Sequence, residues 1–318
     1  MTTNMTTTCE SDELQLYKGQ DFTMNGKIEN DNKIIYWQAL FDGHGNDSCI
    51  HSIRQAMKNH GNEIILSEKS LQKIQDYINS IDETEDTKKA SGSTGIIVKK
   101  WEEGNKVHVE ISYVGDSTLM IYCNDKCVYK NELHDVTHSK QMTKLASVGA
   151  ININEPTISQ GPRFDLMDDD TVLCSPGLYV KIVDPSHPKG YRPISTSSTL
   201  GHHNLYCGLH AENNKFLFNL TDKLRIVCVS DGITDVVLPN NPVLQYGTCA
   251  EILEEARVKW SQTWNTYLKK DELIDFSSKI TAQIPSNSWD DCSVCIMTQI
   301  PQEIDENNDQ KTLFSNTS

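Results

Sequence analysis

Apolar positions along this chain follow two rhythms. Residues 34–40 are an apolar run, broken only by Gln38 and rich in β-branched and aromatic side chains, which reads as a buried strand. Residues 107–114 alternate cleanly. Residues 16–24 alternate less cleanly and carry Asp21 at their centre, and shorter strand-like runs cover 96–98, 118–122, 127–129, 224–229 and 292–297. The second rhythm is helical. Ile50, Ile53 and Met57 predict a helix from Asn46 or Asp47, either a plausible N-cap, to about His60. Leu71, Ile74, Tyr77 and Ile78 predict a second over 66–81, and 139–148 a short third that ends at Gly149. Ile252, Leu253, Ala256, Trp260 and Trp264 line one face of a fourth over 250–268. Asn25-Gly26, residues 30–32 and Asn124-Asp125 are turn signals.

Where neither rhythm holds, the chain reads as loop or tail. Residues 1–14 are expected to be flexible, 15–300 to form one domain, and 301–318 to be a disordered tail. Within the domain, 150–216 is irregular, with the acidic run 168–170 and a brief apolar Val172-Leu173-Cys174. Long irregular stretches in a compact domain usually carry function.

Composition narrows the classes. A formal net charge of -15 disfavours phosphate backbones and anionic lipid, so no nucleic-acid or membrane partner is expected. Mean hydropathy is -0.49, and no apolar run nears the ~20 residues of a membrane span. No secretory signal stands at Met1-Thr2-Thr3-Asn4, so an intracellular place, cytoplasmic or nuclear, is expected. The ten cysteines show no framework spacing. Cys292 and Cys295 form a C-x-x-C without a second pair, which predicts free thiols.

Chemistry concentrates in Phe41-Asp42-Gly43-His44-Gly45, between a strand and a helix. The Asp can bind a hard cation, the Gly43 carbonyl can be a second oxygen ligand, and His44 can move a proton. Other strand-like runs also abut acids: Asp116 and Asp231 follow two, Asp290-Asp291 precedes the last, and Asp21 lies in the first. Neighbouring strands would gather these acids at one edge. Bare carboxylates about 4 Å apart repel by roughly 4 kcal/mol at an effective dielectric near 20, so such a cluster needs cations. All-oxygen ligation suits Mg2+ or Mn2+.

Five segments, in order, resemble the metal-dependent protein serine/threonine phosphatases of type 2C, the PPM-type family. They are Phe41-Asp42-Gly43-His44-Gly45, Ser91-Gly92-Ser93-Thr94-Gly95, Val114-Gly115-Asp116-Ser117, the run from Ser230-Asp231-Gly232 to Asp235, and Asp290-Asp291-Cys292-Ser293-Val294. Leu200-Gly201-His202 resembles a weaker motif. The resemblance spans roughly residues 15–300. It implies an α+β fold, a four-layer α-β-β-α sandwich of two mainly antiparallel sheets flanked by helices, with a two-metal site at one end. By position, Asp42 would bridge two Mg2+ or Mn2+ ions, Gly43 would lend its carbonyl, and Asp231 and Asp290 would hold the second ion. Asp116, Asp231 and Asp235 match a third, weaker metal position, and Asp21 is the acid of the first strand. His44 matches the general acid that protonates the leaving alkoxide, a role suited to an imidazole near its unperturbed pKa of about 6.5.

The chain also departs from the family. Leu16 stands where the family carries a phosphate-gripping Arg, with only Lys18 nearby. Gln20 replaces an acid, Asp291 an Asn and Thr118 an Arg. The leading reading is a Mg2+/Mn2+-dependent phosphatase of phosphoserine and phosphothreonine proteins, with 150–216 as a flap beside the cleft. A catalytically weak relative that binds a phosphorylated partner, and a phosphohydrolase of small molecules, are the alternatives.

Overall fold

The computed structural model describes residues 5–16, 19–159, 178–237, 247–268 and 290–301, the side chains of 263–268 and 301 excepted. The described strands are β1 (Met5–Leu14), β2 (Asp21–Asn30), β3 (Lys33–Gly45), β4 (Ser91–Ser93), β5 (Gly95–Glu103), β6 (Lys106–Val114), β7 (Thr118–Cys123) and β8 (Lys126–Lys130). Then come β9 (Thr157–Ser159), β10 (Leu178–Val183), β11 (Tyr191–Ile194), β12 (Leu200–Gly201), β13 (Glu212–Asn219), β14 (Leu224–Val229) and β15 (Cys292–Pro301). The helices are α1 (Ser48–Leu66), α2 (Ser70–Ser80), α3 (Glu85–Lys89), α4 (Ser139–Ser147), α5 (Asp231–Thr234) and α6 (Cys249–Leu268).

Two antiparallel sheets stack face to face. One runs β1-β15-β14-β7-β8; the other runs β12-β4-β3-β5-β6-β13, with β2 also paired to β3. Strand alternation explains why both sheets read as apolar runs. In β14, Val227 and Val229 face α6 with Ile252, Leu253 and Ala256. Ile226 and Cys228 face the other sheet, meeting Leu40, Ile96 and Val98. Helices α1 and α2 cover the outer face of the second sheet through Ile50, Ile53, Ile65, Leu71 and Ile74. Each such fully buried Ile or Leu contributes on the order of 2 kcal/mol. The layers are therefore α-β-β-α, as the resemblance implied. Among the described residues no helix is long and apolar enough to cross a membrane.

The chain corrects several sequence expectations. Residues 5–14 are not loose: β1 pairs with β15 from Met5↔Pro301 to Leu14↔Cys292. Its polar side chains conceal it, because they bond across to the other sheet. Lys100 Nζ donates to Thr7 Oγ1 at 2.6 Å, and Asn25 Nδ2 donates to Ser11 Oγ at 2.8 Å. Asn25-Gly26 is no turn but mid-strand, with Gly26 opposite Trp37. A Cβ on Gly26 would lie 3.1 Å from the Trp37 ring, so the glycine leaves room for the indole. The hairpin closes instead at Asp31 and Asn32, both at positive φ (48° and 62°). Helix α1 runs on to Leu66 through a kink at His60. Residues 82–89, expected as a connector, include the short helix α3.

Within 150–216, β9, β10 and β11 form a separate three-stranded sheet, and β13 is a regular edge strand on β6. Residues 168–170 and 172–174, the Trp264 side chain and 302–318 lie outside the described residues. The nine described cysteines are free thiols. Cys292 packs toward α6 and Cys295 between the sheets, so this C-x-x-C pair points to opposite faces.

Candidate metal centre

Strand β3 carries the central motif as strand, not turn. Asp42 pairs with Asp21 on β2, and Gly43, His44 and Gly45 pair with Ser93, Gly92 and Ser91 on β4. Thr94 closes the ladder: its N–H donates to the Asp42 carbonyl at 2.8 Å, and its hydroxyl accepts from the Asp42 N–H at 3.2 Å. Gly43 N–H donates to the Gln20 carbonyl at 3.2 Å, and a Cβ on Gly43 would lie 2.8 Å from that oxygen. Only glycine allows the β2 entry to lie this close.

Three further segments bring acids to the same edge. Asp231 follows β14 at the first turn of α5, where the Trp260 indole of α6 donates to the Gly232 carbonyl at 2.9 Å. Asp290 and Asp291 lead into β15, and Ser230 N–H donates to the Ser293 carbonyl at 3.1 Å, locking the two turns together. Asp116 follows β6. Asp21 and Asp42 are buried, Asp116, Asp231 and Asp290 are half-buried, and the Asp235 residue is exposed.

Electrostatics registers the convergence. Burial pushes the Asp42 carboxyl well above the ordinary carboxylate range, and the charges of Asp231, Asp21 and Asp290 push it further. Burial likewise raises Asp21, with Asp291 and Asp231 adding to it, and Asp290, with Asp231 and Asp21 adding. Asp116 is raised by burial and then by Asp231 and Asp235. Asp235 rises to about 6, through burial and then Asp231. All six acids singled out in the sequence are thus drawn into one electrostatic group.

Neither carboxylate oxygen of Asp21, nor Oδ1 of Asp231, has a hydrogen bond of good geometry among the described residues, although the Ser293 and Ser230 hydroxyls approach Asp21 closely enough to offset part of its rise. Buried carboxylates without donors, crowded by like charge, are a donor set for a hard divalent cation. The residues fit such an ion.

Sequence reasoning undervalued three neighbours. Asp291 Oδ2 accepts the Gln20 N–H at 2.9 Å, and Gln20 Nε2 donates to the Gly45 carbonyl at 3.2 Å. The two departures from the family pattern therefore brace each other and the loop before Asp21. His202 stands with its Nε2 2.8 Å from His44 Nε2; only the weak Leu200-Gly201-His202 match hinted at it. Leu16 is buried in the core against α6, so no cation occupies its place. Lys18 lies outside the described residues.

Beside His44 opens a cavity of about 290 Å³, lined also by Lys89, His187, Arg192 and His202. Its wall is the small β9–β11 sheet, tied down by buried Asp184. Lys89 Nζ lies 3.2 Å and Arg192 Nε 2.6 Å from the Asp184 carboxylate. Burial alone would raise Asp184, but its bonds to Ser186, Arg192 and Lys89 hold it below the ordinary range.

A second group also suggests a metal. The ligand atoms of His134, His138 and Glu212 lie within 4.8 Å of one another. Both imidazoles, however, use Nδ1 as acceptor: His134 from the Gly115 N–H at 3.2 Å, and His138 from the Gln141 N–H at 3.1 Å, capping α4. Burial lowers the His134 pKa to about 3, so the ring is neutral and holds a single proton, and the Gln141 Nε2 amide lies 3.2 Å from its Nε2. His138 Nε2 donates to Glu132 at 3.0 Å. A metal-bound imidazole presents a lone pair at one nitrogen and donates from the other. Here both Nδ1 lone pairs are already taken by backbone N–H groups.

No protein-family model matches the chain. Among solved structures, it is similar to the serine-threonine phosphatase 2C of Toxoplasma gondii, with a TM-score of 0.52 and 11% identity, over 91% of this chain and 99% of that one. It is also similar to the serine/threonine phosphatase PstP of Mycobacterium tuberculosis, at 14% identity and a TM-score of 0.46, over 94% of this chain and 99% of that one. The catalytic domain of PstP in complex with two manganese ions gives 13% identity and a TM-score of 0.45, over 93% and 100%. The chain has the fold of the type 2C serine/threonine phosphatases, and at these identities the likeness is one of fold.

Proposed function

We propose that this chain is a Mg2+- or Mn2+-dependent phosphatase of phosphoserine and phosphothreonine proteins. The observation that carries this reading is the gathering of Asp21, Asp42, Asp231 and Asp290 at one edge, with oxygens of Asp21 and Asp231 left without a well-formed hydrogen bond among the described residues. Asp42, the Gly43 carbonyl, Asp231 and Asp290 would hold a pair of ions, and Asp116, Asp231 and Asp235 a third, weaker one. Bound ions of this kind lower the pKa of water and offset phosphoryl charge.

The remaining work falls to the chain's own groups. Asp21 sets a buried carboxyl group beside Asp42, and the Gln20–Asp291 brace fixes it there. His44 gives a proton to the departing serine or threonine oxygen, a poor leaving group without it. The cavity beside His44 admits the residues flanking the phosphate.

Burial of Leu16 favours a second reading, a relative that holds a phosphorylated partner and turns it over slowly, because no Arg fork stands at that position. One assay separates them: hydrolysis of a phosphothreonine peptide and of p-nitrophenyl phosphate, with Mn2+ and with EDTA, by wild type and Asp231→Asn. Mn2+-dependent turnover that Asp231→Asn removes supports the phosphatase. No turnover of either ester favours the binding protein, and wild-type rates in Asp231→Asn contradict the metal assignment. Parallel assays on small phosphomonoesters would reveal a small-molecule enzyme by their higher kcat/KM.

A further inference from the structure

The geometry points to His202 as a positioning residue for His44, one that fixes which nitrogen of His44 delivers the proton. The inference rests on the phosphatase reading only for what that proton is used for.

The tautomers follow from the partners. His202 Nδ1 lies 2.8 Å from the Lys89 carbonyl oxygen, which can only accept, so Nδ1 carries a proton. Burial lowers the His202 pKa to about 4, so at neutral pH that is its only proton and Nε2 is a lone pair. His44 Nε2 lies 2.8 Å from this lone pair and must donate. A neutral His44 therefore has its proton on Nε2, and the exchangeable proton of its charged form is on Nδ1. When the ester P–O bond breaks, the Nδ1 proton passes to the leaving oxygen. His44 stays in the Nε2–H form, and water restores the Nδ1 proton.

The backbone shows what the contact costs. His202 sits at φ +47°, in the left-handed region that non-glycine residues seldom adopt. It is held there by its N–H bond to the Ser91 carbonyl at 2.7 Å. Gly92 makes the space: a Cβ there would lie 2.3 Å from His202 Nε2 and 2.5 Å from His44 Nε2. The ring centroids are 5.0 Å apart, and Tyr206 packs edge-on against the outer face of His202. A histidine needed only for packing would not require a strained backbone on one side and a glycine notch on the other.

Long-range 1H–15N correlation on the metal-free, 15N-labelled full chain tests this directly, with His44 signals assigned by their loss in His44→Asn. The expected result is Nε2–H for His44 and Nδ1–H for His202, with His44 losing its single form in His202→Phe. Nδ1–H for His44 in wild type, or an unchanged His44 in folded His202→Phe, overturns the inference. With Mn2+, His202→Phe should lower kcat on a phosphothreonine peptide roughly tenfold, a part of the ~10²–10⁴ that a general acid supplies. KM and p-nitrophenyl phosphate turnover should stay within about twofold, because a good leaving group needs no acid. His202→Gln, which keeps an acceptor, should recover most of the loss; equal loss on both esters would refute the positioning role. If wild type hydrolyses neither ester, the phosphatase reading falls, and the tautomers alone decide for or against His202.

Discussion

At the edge where β2, β3, β14 and β15 end, Asp21, Asp42, Asp231 and Asp290 crowd together, and both Asp21 oxygens and Asp231 Oδ1 lack a hydrogen bond of good geometry among the described residues. In the histidine group, reached through Gly115, His134, His138 and Glu212 also bring ligand atoms together, within 4.8 Å. By residue type the histidine group has the better transition-metal ligands. By hydrogen bonding it is the poorer candidate, since both Nδ1 atoms accept backbone N–H groups and His138 Nε2 donates to Glu132. Unspent lone pairs, not the identities of the side chains, define a metal site. Among the described residues Asp21 and Asp231 keep such lone pairs.

The largest expected effect separates the two groups outright. Asp42→Asn or Asp231→Asn should reduce metal-dependent turnover to background and remove Mn2+ binding steps in calorimetry, while His138→Ala leaves the stoichiometry unchanged. Loss of a Mn2+ step in His138→Ala would reverse the ranking of the two groups. Next in size, His44→Ala should slow phosphoserine peptides by about 10²–10⁴, the range of general acid catalysis, and aryl phosphates far less. Equal losses would take His44 out of the acid role.

Stability should respond to pH and metal together. Asp21, Asp42, Asp116 and Asp290 have raised carboxyls, and Asp235 stands at about 6. The unfolded chain loses these protons near pH ~4, so above that the metal-free fold binds more protons than the unfolded state. Stability from these groups is full below roughly pH 4 and is lost as pH rises through the folded values. Mn2+ at about 100 times its Kd should restore roughly 2.7 kcal/mol per site at neutral pH, read as a rise in Tm. A metal-free Tm that climbs across that window through these acids would contradict the clustering.

The smaller effects are structural. His134→Ala should cost about 1–3 kcal/mol by orphaning the Gly115 N–H, with metal stoichiometry intact in calorimetry. Trp260→Phe should cost about 1 kcal/mol in denaturant unfolding by freeing the Gly232 carbonyl.

Much of this was legible in the chain. Buried strands such as β3 and β14 announce themselves, because both of their faces are covered and most of their positions are apolar. The acids at strand ends were legible for the same reason: a carboxylate breaking such a run has few structural uses. Edge strands were not. β1 and β13 each have a single neighbour, so their outward positions stay polar and the pattern resembles loop. Asn25-Gly26 misled because its glycine answers to Trp37 across the sheet, a contact no local rule contains. His202 was nearly invisible, since its meaning depends on a ring 158 positions away in the chain.

The most direct measurement is a crystal grown with Mn2+ and examined for anomalous scattering. We expect manganese between Asp42, Asp231 and Asp290, and none at His134 and His138. Manganese at the two histidines, or Asp42, Asp231 and Asp290 turned from one another with no ion between them, would contradict the shared metal site.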